Sequence, residues 1–328
     1  MAEGALQRVA CAVLDDYQDA ARRFGDWHVL EGRIDLRVYR DHFKSELALV
    51  EAISDVPIVV AMRERTPFPA PLFARLPALR LLVTTGQANA AIDLDAAQAH
   101  GVTVCATGTC ITGTSELTWA LILAHWRRIA QEAQGIRQGD RWQTGVGRDL
   151  ANRRLGVLGL GLIGRQVAAV GKAFGMRVQA WSANLTEQTC AQAGIDLAAS
   201  LDALLATSDI VTIHLALGER TRGLIGAEQL HRMKPTALLV NTARSPIVDE
   251  AALIEALEQG WIGGAALDVF DQEPLPAVHP LRRLDNVLAT PHVGYVTEDT
   301  YRRYWQDAVE DVAAWLDGAP VRVLSGAT

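Results

Sequence analysis

The chain alternates short apolar runs with segments of helical spacing. Arg8-Val-Ala-Cys-Ala-Val-Leu14, Pro57–Ala61, Leu79–Val83 and Val102–Cys105 are apolar and β-branched with little polar interruption. Such runs predict strands buried on both faces, as in parallel sheets. Between them Ser45–Ile53 and Pro71–Leu76 have apolar residues three and four apart, the helical period, and Val102–Cys105 is reached through Leu94–Gly101. A long helix is predicted from Thr114 or Ser115, where Thr, Ser and Glu116 supply capping chemistry. It is strongly apolar from Leu117 to Ile129 and reaches Arg127-Arg128, favourable at the negative end of a helix. Gln138–Asn152 is a polar link. A second series follows, with strands at Gly156–Leu158, Arg177–Trp181, Ile210–Ile213, Ala237–Asn241, Gly264–Asp268 and Val287–Thr290. Helical patterns lie between them, notably Gln166–Gly175 and Asp249–Gln259, and an amphipathic helix over Thr297–Leu316 is expected to return to the N-terminal domain. The pattern predicts an α/β protein with doubly wound parallel sheets, the second series forming one nucleotide-type domain.

Composition narrows the function classes. A length of 328 residues suits about two domains, and 49% hydrophobic residues suffice for large cores. The net charge of −7 is modest, and Lys44, Lys172 and Lys234 are the only lysines. With no basic run, neither nucleic acid nor a membrane surface is indicated as a partner. Apolar stretches such as Trp119–Trp126 are too short to span a bilayer. The opening Met-Ala-Glu-Gly lacks the basic-then-apolar signature of a signal peptide, so a cytoplasmic location is expected. Cys11, Cys105, Cys110 and Cys190 lack zinc-type spacing and read as reduced thiols, and no metal site is expected.

Gly159-Leu-Gly-Leu-Ile-Gly164 sits between an apolar run and a helical segment. Strand, glycines and helix in that order suit a dinucleotide diphosphate, whose charge would meet free N–H groups at a helix N-terminus. The glycines 159, 161 and 164, with Leu162 and Ile163 between them, are therefore cofactor candidates. The acidic residue that grips an adenosine ribose is expected about 20 residues further on. Ser182 stands there instead, in Ala180-Trp-Ser-Ala-Asn-Leu185. No carboxylate is present to repel a 2′-phosphate, and no Arg or Lys within Ser182–Gln188 welcomes one. NAD or NADP both fit, with a lean to NAD.

Three strand ends carry reactive side chains: Arg244 in Val240-Asn-Thr-Ala-Arg-Ser245, Asp268 and Glu273 in Leu267-Asp-Val-Phe-Asp-Gln-Glu-Pro274, and His292 in Ala289-Thr-Pro-His-Val-Gly-Tyr295. Taken singly, each has an ordinary reading as a loop, turn or ion-pair residue. Together, after a nucleotide fingerprint, they supply what hydride transfer at an alcohol carbon needs. His292 is a base for the hydroxyl proton, Glu273 orients it, and Arg244 grips a neighbouring carboxylate. Asp268 binds either the nicotinamide carboxamide or protein hydrogens. His214 reads as a structural hydrogen bonder near the cofactor. His28, His42, His100, His125, His231 and His279 show no partner pattern and read as structural or exposed. Met62, Arg63 and Arg65 either border the substrate pocket or face solvent, and Tyr295, Tyr301, Tyr304 and Trp305 read as core or interface sooner than as a substrate cap.

With these motifs the chain resembles the D-isomer-specific 2-hydroxyacid dehydrogenase family. Gly159–Gly164, Met233-Lys-Pro, Asn241-Thr-Ala-Arg244, Gly264–Pro274 and Thr290-Pro-His-Val-Gly294 occur in family order. The resemblance implies two Rossmann-like or flavodoxin-like domains with the active site in the cleft between them. A substrate domain of residues 1–106 plus 294–328 would surround a nucleotide domain of 107–293. It implies NAD(P)-linked interconversion of a D-2-hydroxy acid and a 2-keto acid. Arg244 would hold the substrate carboxylate, His292 would be the acid/base and Glu273 its partner. Gly86 and Gln87 would belong to a carboxylate-binding loop, with Arg63 nearby. Thr114, Ala243 and Asp268 would lie along the cofactor. A homodimer is implied, with the helix from Thr114 and its following segment at the interface. The departures are Ser182 and the Ala216-Leu-Gly stretch, where the family often has proline. Glu273-Pro274 argues against the related formate dehydrogenases. A nucleotide-sensing, corepressor-like protein or a catalytically silent NAD(P)-binding protein is the alternative.

Overall fold

The computed structural model describes residues 8–139 and 142–325; the opening Met-Ala-Glu-Gly and residues 140 and 141 of the polar link lie outside them. In chain order the first elements are β1 (Val9–Val13), α1 (Ala21–Phe24), β2 (Ile34–Val38), α2 (Glu46–Ile53), β3 (Ile58–Ala61), α3 (Ala70–Arg75), β4 (Leu81–Thr84), α4 (Leu94–Ala99) and β5 (Thr103–Ala106). Next come α5 (Thr112–Trp126), α6 (Ile129–Gln138), β6 (Arg154–Leu158), α7 (Leu162–Ala173), β7 (Arg177–Trp181), α8 (Glu187–Ala193), β8 (Asp196–Leu197), α9 (Leu201–Thr207) and β9 (Ile210–Ile213). The chain ends with α10 (Ala227–Arg232), β10 (Leu238–Asn241), α11 (Glu250–Glu258), β11 (Gly264–Leu267), β12 (Val287–Ala289) and α12 (Glu298–Leu316). Two compact units result: residues 1–110 with 297–328, and residues 111–296.

The first unit holds a five-stranded parallel sheet in the order β2-β1-β3-β4-β5. Its order reverses between β1 and β3. The apolar runs predicted as strands are β1, β3, β4 and β5; β2 is additional. Its Ile34-Asp-Leu-Arg-Val38 alternates apolar and charged residues, as an edge strand with one wetter face does. The C-terminal helix α12 belongs to this unit and packs on β4 and α1. Tyr301, Tyr304 and Trp305 are buried in it, which resolves their reading as core.

The second unit holds a seven-stranded parallel sheet, β12-β11-β10-β9-β6-β7-β8, reversing between β6 and β9. Alternate residues of the central strands feed two cores. Val211, Ile213, Leu239 and Leu267 face α9, α10 and α11; Leu155, Val157, Leu238 and Val240 face α5 and α7. Burial on both faces is why these strands read as continuous apolar runs. The two-residue β8 was not foreseen. The long helix starts at Thr112, not at Thr114 or Ser115; the Ser115 hydroxyl lies between the Thr112 carbonyl (2.8 Å) and Gln166 Oε1 (2.7 Å), the two acceptors competing for its one proton, instead of capping backbone N–H groups. It stops at Arg127 as expected, and α6 begins after Arg128, whose φ is +54°. Likewise α7 starts at the glycine loop, four residues before Gln166. Among the described residues no helix is long and apolar enough to cross a membrane. All four cysteines are free thiols.

Candidate active site

The three glycines of the loop after β6 have different neighbours. Gly159 has φ +94°, and a Cβ there would lie 2.7 Å from the His214 carbonyl oxygen. A Cβ on Gly164 would overlap the Gly159 carbonyl, so α7 packs directly on the turn. A Cβ on Gly161 would meet nothing within 4 Å. The fold therefore requires the first and third glycines, while the second keeps backbone bare toward open space. Gly161 is the N-cap of α7 and provides no side-chain cap, so the first N–H groups of the helix, at Leu162, Ile163 and Gly164, lack an intrahelical acceptor. That arrangement fits a dinucleotide diphosphate. Gly159 N donates to Trp181 O at 2.9 Å, which puts the half-buried Ser182 beside the turn at the end of β7. His214 ends β9 behind Gly159; its Nε2 meets Thr212 Oγ1 at 2.9 Å. Burial pushes its pKa down to about 4, so it is a neutral structural group.

The strands β10, β11 and β12 lie side by side, with Asn241 opposite Leu267 and Leu267 opposite Ala289. Arg244, Asp268 and His292 follow them at one end of the sheet. The Asn241 side chain shapes the first loop, accepting from Ala243 N and donating to Arg244 O. Arg244 is half-buried, and its guanidinium donates to Ala243 O at 2.8 Å. Thr242 Oγ1 meets Thr118 Oγ1 of α5 at 2.9 Å. On the last loop His292 has φ +53°, and its Nδ1 lies 2.6 Å from Glu273 Oε2. Glu273 Oε1 accepts from Phe270 N at 2.9 Å, so both carboxylate oxygens are engaged. The Tyr295 ring stands edge-on to the imidazole, 5.4 Å between centroids.

Asp268 is buried, and its carboxylate accepts from Thr290 Oγ1 (2.6 Å), Val293 N (2.8 Å) and Gly294 N (2.8 Å). Burial raises its pKa; these donors and the nearby imidazole of His292 pull the other way. Protein hydrogens therefore occupy Asp268, and all three come from the loop that carries His292. Thr114 Oγ1 reaches the same loop at Gly294 O, 3.3 Å away.

The sequence model described as D-isomer specific 2-hydroxyacid dehydrogenase, NAD binding domain, matches residues 119–294. The chain belongs to this family. A glyoxylate reductase of Aeropyrum pernix is 41% identical over 256 residues, covering 75% of this chain and 76% of the relative. A glyoxylate reductase of Korarchaeum cryptofilum is 35% identical over 297 residues, covering 88% and 89%. The crystal structure of phosphoglycerate oxidoreductase from Vibrio cholerae O395 superimposes with a TM-score of 0.90 at 35% identity, covering 95% of this chain and all of that one. The protein is thus a 2-hydroxyacid dehydrogenase of this family, an oxidoreductase acting on CH–OH groups with NAD or NADP.

The remaining residues singled out for this dehydrogenase lie in the first unit. Gly86 follows β4 with φ +92°, and its N–H donates to Thr107 Oγ1 at 2.7 Å. The Arg63 guanidinium lies against Gly86 where a Cβ would be. Arg63 N donates to Thr85 Oγ1, and its carbonyl accepts from Asn89 Nδ2. Gln87 is exposed. Arg65 donates to Asp15 O and lies 4.2 Å from the Tyr17 ring centroid, within a polar cluster that includes His42 and Thr66. Three histidines with no partner pattern in the sequence do have carboxylate partners: His28 with Asp26, His42 with Asp15 at 2.9 Å, and His279 with Glu250 at 3.2 Å. Asp15 and Glu250 are each more than 25 residues from their histidine, beyond any local spacing signal.

Proposed function

We propose that the protein interconverts a D-2-hydroxy acid and its 2-keto acid, with His292 as general acid/base, Glu273 as its orienting carboxylate and Arg244 as the carboxylate-binding cation. The observation that carries this reading is the 2.6 Å His292–Glu273 contact at the end of a sheet that also bears the dinucleotide turn. Because Glu273 engages Nδ1, Nε2 is the atom that exchanges a proton with substrate. In reduction Nε2–H protonates the keto oxygen as the carbon becomes tetrahedral; in oxidation Nε2 takes the hydroxyl proton. Bound nicotinamide supplies or accepts the hydride. Arg244 grips the carboxylate and polarises the adjoining carbonyl. Gly159, Gly161, Leu162, Ile163 and Gly164 hold the diphosphate, Ser182 faces the ribose, and Thr114 and Ala243 line the nicotinamide side together with Asp268, whose carboxylate also holds the 290–294 loop. The unit of residues 111–296 serves as nucleotide domain. The other serves as substrate domain, through Arg63, Gly86 and Gln87. Because the Gly86 N–H is already bonded to Thr107, Gln87 carries more of the carboxylate binding than Gly86. NAD is preferred slightly over NADP. The relatives named for glyoxylate and phosphoglycerate support a short 2-keto acid, bare or phosphorylated, as substrate. Exposed Ile129, Ile136, Trp142 and Val146 support a homodimer through α6 and the segment after it.

NADH and NADPH crossed with glyoxylate, hydroxypyruvate, phosphorylated and aromatic 2-keto acids test the reaction and its cofactor. Turnover of at least one short acid is expected, and none across the panel overturns the reading. His292→Ala is expected to lower kcat by roughly 10²- to 10⁴-fold with dinucleotide affinity intact. Near-normal turnover in that variant removes His292 from the mechanism.

A further inference from the structure

We infer that Glu250 and His279 form a second carboxylate–imidazole pair, a clamp that fixes the segment carrying Glu273 and so sets the Glu273–His292 contact. This rests on the acid/base reading above and adds two positioning residues to it. Between Phe270 and Leu281, both buried, the chain is irregular, and Asp271, Gln272, Glu273 and Pro274 are exposed. No sheet or helix holds residues 271–278; a 3-10 turn, Pro280–Arg282, with His279 as its cap, closes the stretch. Glu250, the first residue of α11, reaches both ends of it. Its Oε2 accepts from Asp271 N at 3.3 Å, and its Oε1 meets His279 Nε2 at 3.2 Å. His279 Nδ1 accepts from Leu281 N at 3.4 Å, which puts the imidazole proton on Nε2, toward Glu250. Both side chains are largely buried, 17% and 16% exposed. The helix that carries Glu250 is capped by Asp249, whose carboxylate accepts from Ala252 N at 3.0 Å.

The coupling to catalysis lies in two consecutive amides. Phe270 N donates to Glu273, and Asp271 N donates to Glu250. One turn of backbone is therefore shared between two carboxylates, and a shift that loosens one bond misaligns the other. Glu273 lies two residues beyond Asp271, so freeing Asp271 lets its carboxylate drift from Nδ1 of His292. Positional errors near 1 Å at a reacting group cost up to about 100-fold in rate.

The test uses the full-length protein with NADH and glyoxylate, or with whichever 2-keto acid of the panel turns over best. Glu250→Gln keeps shape but offers one of its two donors an amide N–H instead of an acceptor; His279→Leu removes the imidazole. Each is expected to lower kcat roughly 10-fold, leaving KM, the NADH Kd and the thermal midpoint near those of the parent. His279→Gln, which retains an N–H donor, is expected to restore most of kcat. In a Glu273→Gln background, Glu250→Gln should add little, because the contact it positions is already gone. Unchanged kcat in folded Glu250→Gln, or full additivity with Glu273→Gln, overturns the clamp. If His279→Leu does not fold, Glu250→Gln decides alone. Normal turnover by Glu273→Gln overturns the acid/base reading and the clamp with it. Impairment of Glu273→Gln with normal Glu250 and His279 variants overturns the clamp alone.

Discussion

Gly161 and Gly164 are identical residues under opposite constraints. A methyl group on Gly164 collides with the Gly159 carbonyl, whereas one on Gly161 enters open space. Gly164→Ala should therefore cost roughly 1–3 kcal/mol of stability, read from urea unfolding without nucleotide. Gly161→Ala should shift stability by no more than about 0.5 kcal/mol while weakening NADH binding, read by fluorescence titration. A destabilised Gly161→Ala with unchanged nucleotide affinity would contradict this division. The order of the glycines in the motif already reads the first as the tight turn, the second as the approach to phosphates and the third as the helix-packing contact, and the surroundings of Gly159, Gly161 and Gly164 bear this out. That distinction depends on His214 and Gly159 backbone atoms brought close by the fold. The His292–Glu273 pairing was legible because each residue sits in its own motif. The Glu250–His279 pair was not, since neither motif nor period links residues 29 positions apart.

Asp268 shows how the end of one strand can organise a neighbouring loop. It ends β11 and binds three donors of the 290–294 loop, so the position of His292 depends on a side chain from another strand. Asp268→Asn sets an amide N–H against one of those donors. It is expected to cost about 1–3 kcal/mol, the scale of a buried unsatisfied donor, and to reduce kcat. Full stability and full turnover together would show that the loop holds itself. Strands buried on both faces and helices with side-chain caps were the most legible elements. Ser45, Asp249 and Thr297 each accept the N–H three residues on, at the helix starts their sequence predicts. Where a Ser or Thr points elsewhere, as Ser115 does toward Gln166, the predicted boundary slips. The edge strands β2 and β8 escaped because one alternates with charges and the other is two residues long.

At the scale of the whole molecule, one buried group in each unit, His214 and Asp311, answers pH with opposite sign. In the second unit burial holds His214 at about 4 against an ordinary 6.5. Between those values the unfolded chain binds a proton that the folded one does not. This contribution to stability is complete above 6.5 and is lost as pH falls toward 4. In the first unit burial lifts Asp311 to about 7 from 3.8, aided by Asp307 and Glu310, although Arg322, whose Nε lies 2.9 Å from it, pulls the other way. Its contribution is complete below 3.8 and is lost as pH rises through about 7. Hydrogen exchange at about pH 5 and about pH 7.5 should show the second unit losing protection relative to the first in acid. His214→Gln and Asp311→Asn should each flatten the response of its own unit, and equal responses in both units would refute the assignment. The discontinuity of the first unit has a further consequence, in time. Its sheet is synthesised by residue 106, but Trp305, buried in that unit's core, and Val323, bridged to Cys105, emerge only after the entire second unit. On the ribosome the later unit can finish first, and a message truncated before α12 would release a complete second unit tethered to a first unit unable to close its core.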